Sequence, residues 1–210
     1  MSVTLSELLN TLAELLKSLN SPLISKLQNG VSKGYIDTCI SKFGISFPED
    51  LYILYGWHNG IIFHSEYHGS YKSPMPDNWL FPLATFISLE EAIDKYDQFL
   101  VSKRKDWESF LFPIFESGGG EYFFIDCNKN SPTYKMIYYD SPTNVDFDGI
   151  ITKYDSLESL TSTLTVEFQE GIMFYDNDNA VDNDFQKDIE VSAKLNPRSD
   201  YWKLMSYSEL

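Results

Sequence analysis

Four short runs in the second half of the chain limit its fold more than any other feature: residues 111–115 (LFPIF), 121–127 (EYFFIDC), 134–139 (YKMIYY) and 149–154 (GIITKY). Each is aromatic and β-branched. Each is cut off from the next by breakers, first Gly118-Gly119-Gly120, then Asn128 to Pro132, then Ser141 to Asp148. Runs of this length and composition read as strands. Gaps this short join neighbours that pair antiparallel.

The first half reads as helices. Thr4 with Glu7 three residues on makes a capping box, and an apolar stripe runs from Val3 through Leu19. Ser21-Pro22 starts a short helix that ends near Asn29-Gly30. Tyr35, Ile36, Cys39, Ile40 and Phe43 give another, closed by Gly44. The stretch from Phe47 to Gly60, FPEDLYILYGWHNG, is a capped helix with Pro48 at the first helical position, acids on its positive end and Gly60 as its left-handed stop. Trp57, His58 and Asn59 fall on its last turn, before the strand-like Ile61-Ile62-Phe63. That junction can face a partner.

Residues 65–79 carry Gly69, Pro74 and Pro76 and read as a long surface loop. Ser88 with Glu91 opens a helix whose basic exit, Lys103 to Lys105, suits a helix carboxyl end. Ser156 opens another, with Leu157, Leu160, Leu164 and Phe168 on one face, ending at Gly171. Residues 176–184 (DNDNAVDND) are expected to be a mobile loop or tail, and residues 185–210 hold enough apolar surface to dock back on the body.

With 210 residues, 43% of them hydrophobic, the chain can bury one good core. No run of 18 apolar residues occurs, and without a basic n-region or small-residue cleavage site near Met1 no secretory signal is expected. Cys39 and Cys127 make no disulfide framework, so a reducing cytoplasm is the simplest home. The net charge is -15, and it is concentrated late: residues 140–190 carry thirteen carboxylates against Lys153 and Lys187. Such a field repels nucleic acid and anionic membrane and steers in a basic protein across a screening length of about 8 Å. A plain solubilising face is the other reading.

Phe47-Pro48-Glu49-Asp50-Leu51, Tyr55, Asn59-Gly60, Trp79-Leu80 with Phe81-Pro82-Leu83, Phe112-Pro113-Ile114, Gly118-Gly119-Gly120-Glu121-Tyr122, Asp126 and Leu157-Glu158-Ser159-Leu160 follow one another in an order that resembles the SUKH superfamily, the SMI/KNR-type domains. The resemblance covers about residues 30–172. It leaves 1–29 as an N-terminal helical extension and 173–210 as an acidic C-terminal extension. It implies an α+β fold with a central antiparallel sheet of about four to six strands flanked by helices. For bacterial members it implies an immunity protein that binds and neutralises a cognate toxin, and for fungal members a regulatory scaffold of signalling and wall synthesis.

Other chemistry is weaker. His64, Glu66 and His68 would share one face of a continuous strand and are metal-ligand types, but Gly69 follows at once and no further ligand stands at a diagnostic spacing. A polar loop is preferred, and no cofactor is expected. The glycines at 118–120 lead into Glu121 and a strand, unlike a phosphate cradle. Asp176, Asp178, Asp182 and Asp184 lack the glycine and glutamate of an EF-hand. Cys39 falls on an apolar helical face and Cys127 at a strand end beside Asp126, so no nucleophilic dyad is expected.

The reading is a non-enzymatic binding protein, monomeric or weakly dimeric, that blocks a basic toxin, expected to be a nuclease, by bulk and charge. The residues expected to touch it are His58, Asn59, Glu66, Tyr67, Trp79, Glu121 and Asp126, with Asp146 and Asp148 at the rim.

Overall fold

In a computed structural model, the structure describes residues 3–62, 84–102, 104–117, 119–142, 147, 149–176 and 181–207. Helix α1 (Leu5–Ser18) starts at the expected capping box: Thr4 Oγ1 accepts from the Glu7 N–H, and the Glu7 carboxylate accepts from the Thr4 N–H. Its 3.6-residue period buries Leu5, Leu9, Leu12 and Leu16, while Val3 and Leu19, the ends of the expected stripe, are exposed.

A single 3-10 turn, Pro22–Lys26, follows, but the helix expected to reach Gly30 does not form. Leu27–Asn29 is instead strand β1, paired antiparallel with β2 (His58–Ile61). Helix α2 (Lys33–Ile40) precedes Gly44, whose φ of +67° ends the turn after it.

Helix α3 (Glu49–Trp57) uses Pro48 as its cap rather than its first helical residue, and it stops three residues before the expected point. His58 and Asn59 are extended because β1 claims their backbone, with Asn29 facing His58. Gly60 does take a positive φ, +77°, but for a different reason. A Cβ there would lie 2.4 Å from the Ser88 backbone nitrogen, so β2 lies directly against the start of α4 (Leu89–Ser102).

The main sheet is a five-stranded antiparallel meander: β3 (Thr85–Phe86), β4 (Leu111–Glu116), β5 (Tyr122–Asp126), β6 (Ile137–Asp140) and β7 (Ile150–Tyr154), in sequence order. All four expected runs are strands. The third is shorter than expected, because Lys135 has a φ of +72° and its N–H donates to Asp126 O, closing the turn between β5 and β6. Phe112, Phe115 and Phe124 are fully buried along the sheet, with α4 packed on β4.

Helix α5 (Leu157–Gln169) starts at Ser156, packs against α1 and is followed by Gly171 at φ +65°. The expected mobile loop is a hairpin over most of its described length: β8 (Met173–Tyr175) pairs with β9 (Val181–Asn183), and Asp184 caps α6 (Phe185–Leu195). Residues 177–180 lie outside the described residues. The apolar tail docks as expected. Ser199 Oγ donates to Thr152 O and the Asp200 N–H donates to Thr152 Oγ1, which seats α7 (Asp200–Tyr207) against β7. One contiguous cluster of buried apolar residues runs from Leu5 to Trp202, so both terminal segments share the core.

Candidate functional site

The junction singled out in the sequence is a surface made by α2, β2 and α4. Tyr35 is 43% exposed, and its hydroxyl donates to Glu90 Oε1 at 2.5 Å. The half-buried His58 ring sits edge-on to Trp57 with centroids 4.4 Å apart, and its Nδ1 is 2.7 Å from Gln28 O. Burial pushes the Glu90 carboxyl up, but hydrogen bonds from Tyr35 and Asn59 outweigh it and hold the group below the usual carboxylate range. Along α4 the surface continues with the exposed Glu91, Asp94 and Asp97.

Asn59, expected as a contact residue, is held inside the fold. It is buried, its Oδ1 accepts from the Leu89 N–H at 2.9 Å, and its Nδ2 donates to Glu90 Oε2 at 2.9 Å. It caps α4 from outside, beside the capping box that Ser88 and Glu91 make.

Glu121 and Asp126 stand at opposite ends of β5 and away from that junction. Half-buried Glu121 accepts from the Tyr139 hydroxyl at 2.7 Å and from Ser141 Oγ at 2.9 Å. Asp126 is fully buried and accepts from the Asn128 N–H and from Thr133 Oγ1, fixing the turn after β5. The side chain expected to meet a partner is thus turned into the fold, at 0% exposure. Asp50, from the organising helix, is buried with its Oδ1 2.7 Å from Lys135 Nζ.

Glu66, Tyr67, Trp79, Asp146 and Asp148 lie outside the described residues, as do His64 and His68. Among the described residues no group of three or more His, Cys, Asp or Glu is placed to hold a metal ion. Cys39 and Cys127 are free, and burial pushes the Cys127 thiol up, which leaves it a poor nucleophile. No helix among the described residues is long and apolar enough to cross a membrane.

Sequence reasoning missed Lys153. It is only 5% exposed, and its Nζ lies 4.2 Å from the Tyr139 ring centroid, 4.3 Å from Tyr201, and 5.3 Å from both Phe123 and Trp202. Four rings from β5, β6 and α7 thus cage one ammonium. Burial pulls its pKa down to about 8, against the nearby carboxylates of Asp188, Glu121 and Glu167. Beside it, Ser192 Oγ bridges Glu167 Oε1 and Asp188 Oδ1, joining α5 to α6. The only hint in the sequence is a base within an aromatic strand of an otherwise acidic region.

No curated protein matches this chain. Residues 30–162 match the model of the SMI1 / KNR4 family (SUKH-1). That superfamily includes immunity proteins, and its domains are generally non-catalytic immunity or regulatory domains. With more than half of its 210 residues inside the match, the chain belongs to the SMI1 / KNR4 family.

Proposed function

We propose that this protein is an immunity protein that neutralises a basic cognate toxin, expected to be a nuclease, by occupying it, with no bond made or broken. The observation that carries the reading is the exposed face around Tyr35 and Glu90, where aromatic surface borders the carboxylates of Glu91, Asp94 and Asp97 on a chain of net charge -15. Carboxylates speed the encounter with a cationic surface, and aromatic groups such as Tyr35 and Trp57 slow dissociation once they are covered. Family membership supports the same reading.

The test is co-expression with a candidate toxin encoded beside its gene, scored by survival and co-purification. Rescue with a co-purifying toxin is expected; a toxin that kills regardless and does not bind would refute the immunity role. Within a confirmed complex, Asp94→Lys with Asp97→Lys should slow association about tenfold at low salt and flatten its salt dependence. Unchanged kinetics would remove this face from the interface.

A further inference from the structure

A cavity of about 110 Å³ opens beside Lys153, between β7, the hairpin of β8 and β9, and helices α6 and α7. Its polar lining is Lys153, Asp182, Asn183 and Asp188, and Met173 and Phe185 contribute apolar wall. We propose that this cavity binds a small zwitterion of the α-amino acid class, with Lys153 holding the carboxylate and Asp182 and Asp188 holding the ammonium group.

The argument begins with Lys153. The residue is 5% exposed, and its Nζ stands over the faces of four rings. The four rings face the charge, but π faces are weak acceptors, so the ammonium N–H groups keep donor capacity toward the cavity that Lys153 lines. The neighbouring Trp202 indole N–H is buried without an acceptor. A ligand oxygen at the cage mouth supplies what the protein does not.

Charge selects among ligands that carry such an oxygen. A simple carboxylate would meet Lys153 favourably but would also face Asp182 and Asp188. A simple amine would meet the two carboxylates but would face the caged ammonium. A molecule with both charges answers both ends, and it adds no net charge to a buried site.

Each carboxylate keeps acceptor capacity: Asp188 accepts from Asn183 Nδ2 and Ser192 Oγ, and Asp182 from the Asn183 N–H. A carboxylate has about four lone-pair sites, so these bonds leave room. Size sets the remaining limit. At about 110 Å³ the cavity is small, which favours glycine, alanine or serine among the α-amino acids. A bound zwitterion would span β7, β9 and α6 and tie the C-terminal segment to the sheet.

The test is calorimetric titration of the full chain with glycine, L-alanine and L-serine, alongside propionate and ethylammonium as single-charge probes, each to about 10 mM, since millimolar affinity is the floor for a ligand this small. Saturable binding of at least one amino acid is expected, with either single-charge probe at least about tenfold weaker. Lys153→Met, which keeps length and apolar contact with the rings, should abolish binding while the circular dichroism spectrum is kept. Because Lys153→Met could unfold the core, Asp182→Asn at the exposed hairpin is the second variant, and it should weaken binding at least about threefold. No binding by any of the three amino acids, equal binding of propionate, or binding that survives both substitutions would overturn the proposal.

Discussion

Arg104 grips Asp140 with two parallel hydrogen bonds, Nη1 to Oδ2 at 2.5 Å and Nη2 to Oδ1 at 2.8 Å, and Asp140 is 1% exposed. The same guanidinium holds Asp106 through Nε and Nη2. Hydrogen bonds to Asp140 and then Asp106 push the Arg104 pKa up. Arg104 therefore bolts the exit of α4 to the end of β6, a larger task than complementing a helix dipole. Arg104→Met would leave a buried carboxylate unpaired, and because Arg104 is 30% exposed the cost should fall near the low end for such pairs, about 2–3 kcal/mol in urea unfolding. Arg104→Met with Asp140→Leu should recover most of that loss; a double variant as weak as the single one would contradict the account.

Asn59 reaches from β2 to the first turn of α4 and satisfies a backbone N–H there. Asn59→Ala should cost about 1–2 kcal/mol in thermal unfolding, as loss of a helix cap does. It should not change the rate of association with a basic partner. A normal melting temperature combined with slower association would restore Asn59 to the contact surface.

At Gly60 an added methyl group meets main chain, the Ser88 nitrogen at 2.4 Å and the Ile87 carbonyl carbon at 2.7 Å, on a backbone with φ +77°. Neither strain can be relieved by turning a side chain. Gly60→Ala should therefore destabilise by about 2 kcal/mol or more, seen as a lower urea midpoint with an unchanged slope.

Glu167 is 1% exposed, and burial first, with the Asp188 carboxylate second, pushes its pKa up to about 9 from an ordinary 4.5. The folded chain thus keeps a proton that the unfolded chain has released between those values. Its contribution is complete below pH 4.5 and is lost as pH rises through 9. Lys153 works in the opposite sense, since burial lowers its pKa from 10.5 to about 8, but its effect begins only near pH 8. Between about pH 5.5 and 8 the Glu167 contribution therefore falls with pH, by at most about 1.4 kcal/mol per unit. Urea midpoints at the two pH values should differ less in Glu167→Gln than in the wild type; an equal difference would show that Glu167 is not protonated in the folded state.

What the sequence revealed follows from the range over which each signal acts. Capping boxes at Thr4, Ser88 and Ser156, and the strand runs of the second half, are local, and the structure holds them at those positions. Leu27–Asn29, read as helix, is strand because its partner is 30 residues away in β2, and tertiary pairing outweighs local preference. Asp126 and Asn59 looked like surface groups because polarity alone does not tell a solvated side chain from one spent on the backbone. The Lys153 cage draws on Phe123, Tyr139, Tyr201 and Trp202, spread over 80 positions, and no spacing rule collects them.

The packing of α1 on α5 carries a consequence for biogenesis. As the ribosome releases the chain, Leu5, Leu9, Leu12 and Leu16 emerge early, but the helix that shelters them, Leu157–Gln169, emerges about 150 residues later. At about 5–20 residues per second, the part of that ridge that α5 covers waits roughly 8–30 seconds for its partner, although α3, which also packs on α1, is made sooner. It is the segment a nascent-chain chaperone would hold, and closing it against α5 is a late step of folding.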